Sequence, residues 1–138
     1  MRSLSRKLGS RTSLEKNLLT SLVMHGRILT TEAKAKHIKP LAEQLLTRAK
    51  ADTLPARRHA ATLLTTNAAV AHLFSTVVPQ LPVKDSGFVH IIKTTPRSGD
   101  SAPRAVVRIA TKPVQTPAPT TKKATATKAA ATSKTAKK

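Results

Sequence analysis

Residues Lys16–Lys50, KNLLTSLVMHGRILTTEAKAKHIKPLAEQLLTRAK, decide how the chain folds. Leu14, Leu18 and Leu22, with Leu19 and Val23, recur at three-to-four spacing and predict one apolar stripe on a helix. His25-Gly26 stops it: glycine takes the left-handed conformation that closes a helix end, and a histidine suits the negative end of the dipole. Arg27-Ile28-Leu29 is too short for a helix and reads as a strand. Thr30 and Thr31 are N-cap candidates, and Glu32 stands where the next helix has its positive end. Ile38, Leu41, Ala42, Leu45, Leu46 and Ala49 then form a second stripe. Lys36, Lys39 and Lys50 fall on a flank away from it, with Glu43 among them, and Lys34 lies at its edge. Pro40 is expected to bend this helix over its core, because proline leaves the Lys36 carbonyl without its donor.

Outward from this pair, Met1–Ser13 (MRSLSRKLGSRTS) carries Arg2, Arg6, Lys7 and Arg11 with no acid and no apolar face. It reads as a basic arm, either disordered or ordered on RNA, and its Arg- and Ser-rich composition also fits a mitochondrial transit peptide. Downstream, Asp52 or Thr53 caps a third helix with Leu54, Ala60, Ala61, Leu63 and Leu64 as its apolar positions. Thr66-Asn67 caps a fourth, in which Val70, Leu73, Phe74, Val77 and Val78 follow helical spacing until Pro79 and Pro82 end it. FVHIIKT and AVVRIAT are two strands joined by the loop TPRSGDSAP, with Val107 and Ile109 on one face and Arg108 on the other. Ile28-Leu29 supplies a third strand. The fold expected is α+β, about four helices packed on a small three-stranded sheet, with the globular part at residues 14–111. From Lys112 the chain is Lys, Ala, Thr and Pro with no acid, and residues 112–138 read as a disordered cationic tail.

The chain holds 138 residues, with 25 Lys and Arg against 6 Asp and Glu, a formal net charge of +19. The charge divides as +4 in residues 1–12, +8 in 13–111 and +7 in 112–138, so the folded part is itself basic. Such a chain repels itself when alone and is neutralised on a polyanion. Phe74 and Phe88 are its only aromatics. Stacking on single-stranded bases is therefore a poor fit, and contact with phosphates, riboses and folded shape a good one. There is no cysteine, so disulfides and a zinc knuckle are excluded. The five histidines (His25, His37, His59, His72 and His90) match no metal-binding pattern, and the acids form no paired site. No P-loop, dinucleotide fingerprint or nucleophile–base set is present. No enzymatic activity, cofactor, small-molecule substrate, membrane contact or homo-oligomer is expected.

RKLG at Arg6–Gly9, NLLTSLVMHGRILTTEAKAK at Asn17–Lys36, KPLAEQLLTRAK at Lys39–Lys50, ARR at Ala56–Arg58, AVAHLF at Ala69–Phe74 and GFVHIIKTTPRSGDSAPRAVVRI at Gly87–Ile109 together resemble the bacterial large-subunit ribosomal protein seventeen family. The resemblance covers nearly all of residues 6 to 110. It implies an α+β domain bound to large-subunit rRNA near the exit of the nascent-peptide tunnel, among other large-subunit proteins, in the cytoplasm or an organelle. By matching position it points to Arg6, Lys7, Arg27, Lys34, Lys36, Arg57, Arg58 and Arg97 as RNA contacts. The other basic residues of the arm, second helix and strands join the candidate set: Arg2, Arg11, Lys39, Lys93, Arg104 and Arg108. Two departures stand out. Glu15 lies in a segment that is shorter here and normally more basic, and His90 takes a strand position usually held by arginine. The tail inherits nothing from the resemblance.

Two other functions fit parts of the sequence. The Lys/Ala-rich tail from Lys122 to Lys138 resembles those of histone-like proteins, which suggests a DNA-compacting nucleoid protein. The folded part offers neither a recognition helix nor a DNA-bending β-arm for it. An RNA-modifying enzyme would need a catalytic set that the sequence lacks.

Overall fold

The computed structural model describes residues 3–111; Arg2 and the tail from Lys112 lie outside the described residues. Four helices cover one face of a three-stranded antiparallel sheet. The order along the chain is α1 (Leu8–His25), β1 (Arg27–Thr31), α2 (Glu32–Ala49), α3 (Leu54–Leu63), α4 (Asn67–His72), β2 (Val89–Thr94) and β3 (Arg104–Ile109). After His72 the fourth helix continues through a π-helical turn (Leu73–Val77) into a last short turn (Val78–Gln80).

The helix of α1 starts at Leu8, so half of the stretch read as an arm is helical. Once the turns from Leu14 onward are anchored, each further residue extends the helix at little cost, even without an apolar face. Leu19, Leu22 and Val23 are its buried residues. Gly26 ends it with φ +69°, donating its N–H to the Leu22 carbonyl at 2.8 Å. Its own carbonyl accepts from the Ile109 N–H at 2.9 Å, which ties the helix end to the last strand.

The second helix buries Ala35, His37, Ile38, Ala42, Leu45, Leu46 and Ala49 and runs through the exposed Pro40 without ending there. Thr31 and Thr53 occupy N-cap positions without side-chain bonds. The Thr66 hydroxyl caps α4 by accepting from the Ala69 N–H at 3.3 Å.

The third helix turns differently from its expected stripe: Leu54 is 61% exposed and Ala61 is exposed, while Ala56 and Ala60 face inward. Small alanines let α3 approach α2 closely, and Leu64, just past the helix, supplies the bulk. In the fourth helix Leu73 and Val77 are buried, and the Val78 N–H reaches back five residues to the Leu73 carbonyl. The helix passes Pro79 and ends at Gln80, because this wider turn accommodates a residue with no N–H to give.

Strand order is β1-β3-β2, so the last strand lies in the middle. Val89, Ala105, Val107 and Ile109 are buried against the helices, joined by Phe88 just before β2. The alternate residues make the outer face. Its rungs are Arg27, Arg108 and His90; Leu29, Val106 and Ile92; and Thr31, Arg104 and Thr94.

Candidate nucleic-acid interface

Acidic side chains first decide where the positive charge is left over. Glu15 Oε1 meets His37 Nε2 at 2.7 Å, and both side chains are nearly buried between α1 and α2. Glu43 turns inward from the flank where the lysines lie. Its carboxylate accepts from the backbone N–H of Phe88 at 3.0 Å and of Val89 at 2.8 Å. Asp52 holds Arg57, and Asp100 holds Arg97. Glu32 takes Lys36 at 2.6 Å and Lys93 at 3.5 Å. The Lys36 ammonium, as hydrogen-bond donor and as charge, and then Lys93, hold the Glu32 carboxyl below the usual carboxylate range. Of the acids among the described residues, only the Asp85 carboxylate has no hydrogen-bond or ion-pair partner.

The candidate cations therefore separate into two groups. Lys36, Lys93, Arg57, Arg97 and Arg104 are held by the protein itself. Arg57 also lies over the Phe74 ring, 4.8 Å from its centroid. Arg104 donates to the Thr95 carbonyl at 3.0 Å and to that of Pro96 at 3.5 Å, so it braces the hairpin loop. By contrast Arg6, Lys7, Arg27, Lys34, Lys39, Arg58 and Arg108 make no side-chain hydrogen bond or ion pair among the described residues. Arg11 is half-buried on α1 with its Nε unpartnered.

Sheet register brings three of these positions together. Arg27 of β1 and His90 of β2 stand directly opposite Arg108 of β3, all three exposed. Like charges directly opposite on neighbouring strands are destabilising, and nothing acidic stands on this face to relieve them. Beside the row, His25, Gly26, Arg27, Arg108, Ile109 and Thr111 line a shallow cleft of about 400 Å³. A second, of about 590 Å³, lies at the start of α1 between Arg6, Gly9, Ser10, Ser13, Leu14 and Asn17. The first can take an anion between two guanidinium groups, which bind phosphate oxygens in pairs.

Sequence reasoning did not find the Glu43 clamp or the Glu15–His37 contact. Neither leaves a motif: each joins residues far apart in the chain. Arg27 and Arg108 were separate candidates, and only the β1–β3 register makes them neighbours. Among the described residues no cluster of three or more His, Cys, Asp or Glu could hold a metal ion. Nor is any described helix long and apolar enough to cross a membrane.

Residues 14–110 match the family described as Ribosomal protein L17. A large ribosomal subunit protein bL17 from Solibacter usitatus is 42% identical over 106 residues, covering 77% of this chain and 71% of that one. One from Desulfitobacterium hafniense is 40% identical over 108 residues, covering 78% of this chain and 96% of its own length. One from Bifidobacterium adolescentis is 41% identical over 98 residues, covering 71% and 63%.

Proposed function

The chain belongs to the ribosomal protein L17 family, and from that premise we propose that it is a structural component of the large ribosomal subunit, in bacteria a cytoplasmic particle, which neutralises rRNA phosphates near the exit of the nascent-peptide tunnel. One observation supports the phosphate reading above others: almost every carboxylate is occupied within the protein, while a set of cations is left outward with no partner. A fold that spends its acids internally presents a polyanion with charges it does not have to strip of partners first. Arg27 and Arg108 are set on a rigid sheet, so their positions are established before RNA arrives. Lys34 and Lys39 are likewise set on α2. Arg6 and Lys7 stand at the positive end of α1. The held arginines Arg57 and Arg97 keep donors to spare, since a guanidinium carries five N–H groups. The family resemblance supports a location at the tunnel exit, and no catalytic step is part of the proposed role.

The test is salt dependence of binding to large-subunit rRNA. Each phosphate contact contributes a slope of roughly 0.7–0.9 in log K against log salt. The double variant Arg27→Gln/Arg108→Gln should therefore flatten the slope by roughly 1.4–1.8 while circular dichroism stays unchanged. Wild-type slope and affinity in a folded double variant would refute contact at this row. Cross-links from the bound protein to rRNA at the tunnel exit check the location.

A further inference from the structure

The outer face of the sheet carries more than charge. One rung in from the Arg27–Arg108–His90 row, the register aligns Leu29, Val106 and Ile92 across all three strands. Leu29 is 55% exposed and Ile92 48%, with Val106 half-buried between them. The helices cover only the opposite face, so nothing in the described residues shields this aliphatic row.

We infer that the aliphatic row docks an aliphatic segment of neutral-to-acidic charge from a neighbouring large-subunit protein. This rests on the ribosomal role proposed above. RNA is the poorer occupant: Leu29, Val106 and Ile92 offer neither a donor to phosphate nor an aromatic ring to a base, and covering them is favourable only against apolar atoms. Charge selects the kind of protein. The row lies between Arg27 and Arg108 on one side and Arg104 on the other, with no acid on the face. A basic segment, common in proteins that bind RNA, is repelled there, and one carrying carboxylates beside its aliphatic residues is attracted. Placed next to an arginine row that meets phosphate, the docked segment lies where protein and rRNA adjoin.

The experiment places a benzophenone amino acid at Leu29, at Ile92 and, as a reference, at Lys39, each in the full chain assembled into large subunits. Irradiation should give protein adducts from positions 29 and 92, mapping to a segment with aliphatic and acidic residues, and an rRNA adduct from position 39. Adducts to rRNA from 29 and 92, adducts between two copies of this chain, or none from either position would overturn the inference. Failure of the ribosomal role itself looks different: no chain would enter subunits at all. A second measurement uses Leu29→Thr/Ile92→Thr, at exposed positions that leave the core intact and add no charge beside the arginine row. In competition with wild type its incorporation should fall about tenfold, equivalent to ~1.4 kcal/mol, while its affinity for naked rRNA is unchanged. Equal incorporation would count against the docking.

Discussion

Replacing Glu43 by alanine should destabilise the domain more than any other change of a charged residue described above. Its two carboxylate oxygens accept separately from the N–H groups of Phe88 and Val89, at 3.0 and 2.8 Å. Both residues are buried, at 0% and 1% exposure, so water cannot readily replace the lost acceptor. Hydrogen bonds to a charged group contribute about 1.5–3 kcal/mol each, and the half-exposed carboxylate discounts the pair to about 3 kcal/mol. For a domain near this size that lowers Tm by roughly 12–24 °C. Glu43→Gln keeps one acceptor and turns an amide N–H toward the other donor, so it should fall between alanine and wild type. Urea and thermal unfolding followed by circular dichroism give the order. Exchange of the Phe88 and Val89 amides should accelerate on the order of a hundredfold in the alanine variant. An alanine variant within about 0.5 kcal/mol of wild type, an ordinary surface effect, would refute the idea that this carboxylate holds β2 to α2.

Four further outcomes are expected. Glu15→Ala leaves the buried His37 ring without its partner and should cost about 1–3 kcal/mol in urea unfolding. The Arg97 guanidinium, then the Ala102 N–H, hold the Asp100 carboxyl at about 2, against an ordinary 3.8. The folded value is the lower, so the loop contact contributes fully above the ordinary value and is lost as pH falls through about 2. Carboxyl NMR titration should find that midpoint in the wild type and a higher one in Arg97→Ala, still held below the ordinary value by the Ala102 N–H. Gly26→Ala meets no atom within 4 Å, so only its φ of +69° resists; the cost should be about 1 kcal/mol. Gly9→Ala, inside α1 with equally open surroundings, should instead stabilise by up to ~1 kcal/mol in the same unfolding assay.

The architecture was legible wherever apolar residues repeat at one period. Leu19, Leu22 and Val23 on α1 and Ile38, Leu45 and Leu46 on α2 are buried as their spacing indicates. Val107 and Ile109 face the core with Arg108 outward. Even a strand as short as β1 could be found, because Gly26 and the α2 N-terminus bound it on both sides. Alternation says which face a residue takes, but not which residue stands opposite, so the row of Arg27, Arg108 and His90 stayed hidden. An alanine-rich helix gives a weak stripe, so spacing alone points Leu54 of α3 inward although it is exposed. Charge was legible as a total and not in its pairing. Composition counts Glu43 and Lys39 alike as surface charges, whereas one serves backbone amides inside and the other is left for a partner.

Strand order has a consequence for synthesis. The first strand made, β1, pairs only with the last, β3, and so does β2. Helices can form as the chain emerges, but the sheet has no central member until Arg104–Ile109 have been translated. Until then two strands lie with nothing between them, and Arg27 has no Arg108 opposite. The cleft between Arg27 and Arg108 is therefore completed only at this late stage. A nascent chain stopped before Arg104 should leave the amides of Arg27–Thr31 unprotected from exchange. Such long-range closure is slow compared with helix formation, so Arg27 and Arg108 become neighbours only after the helices around them have formed.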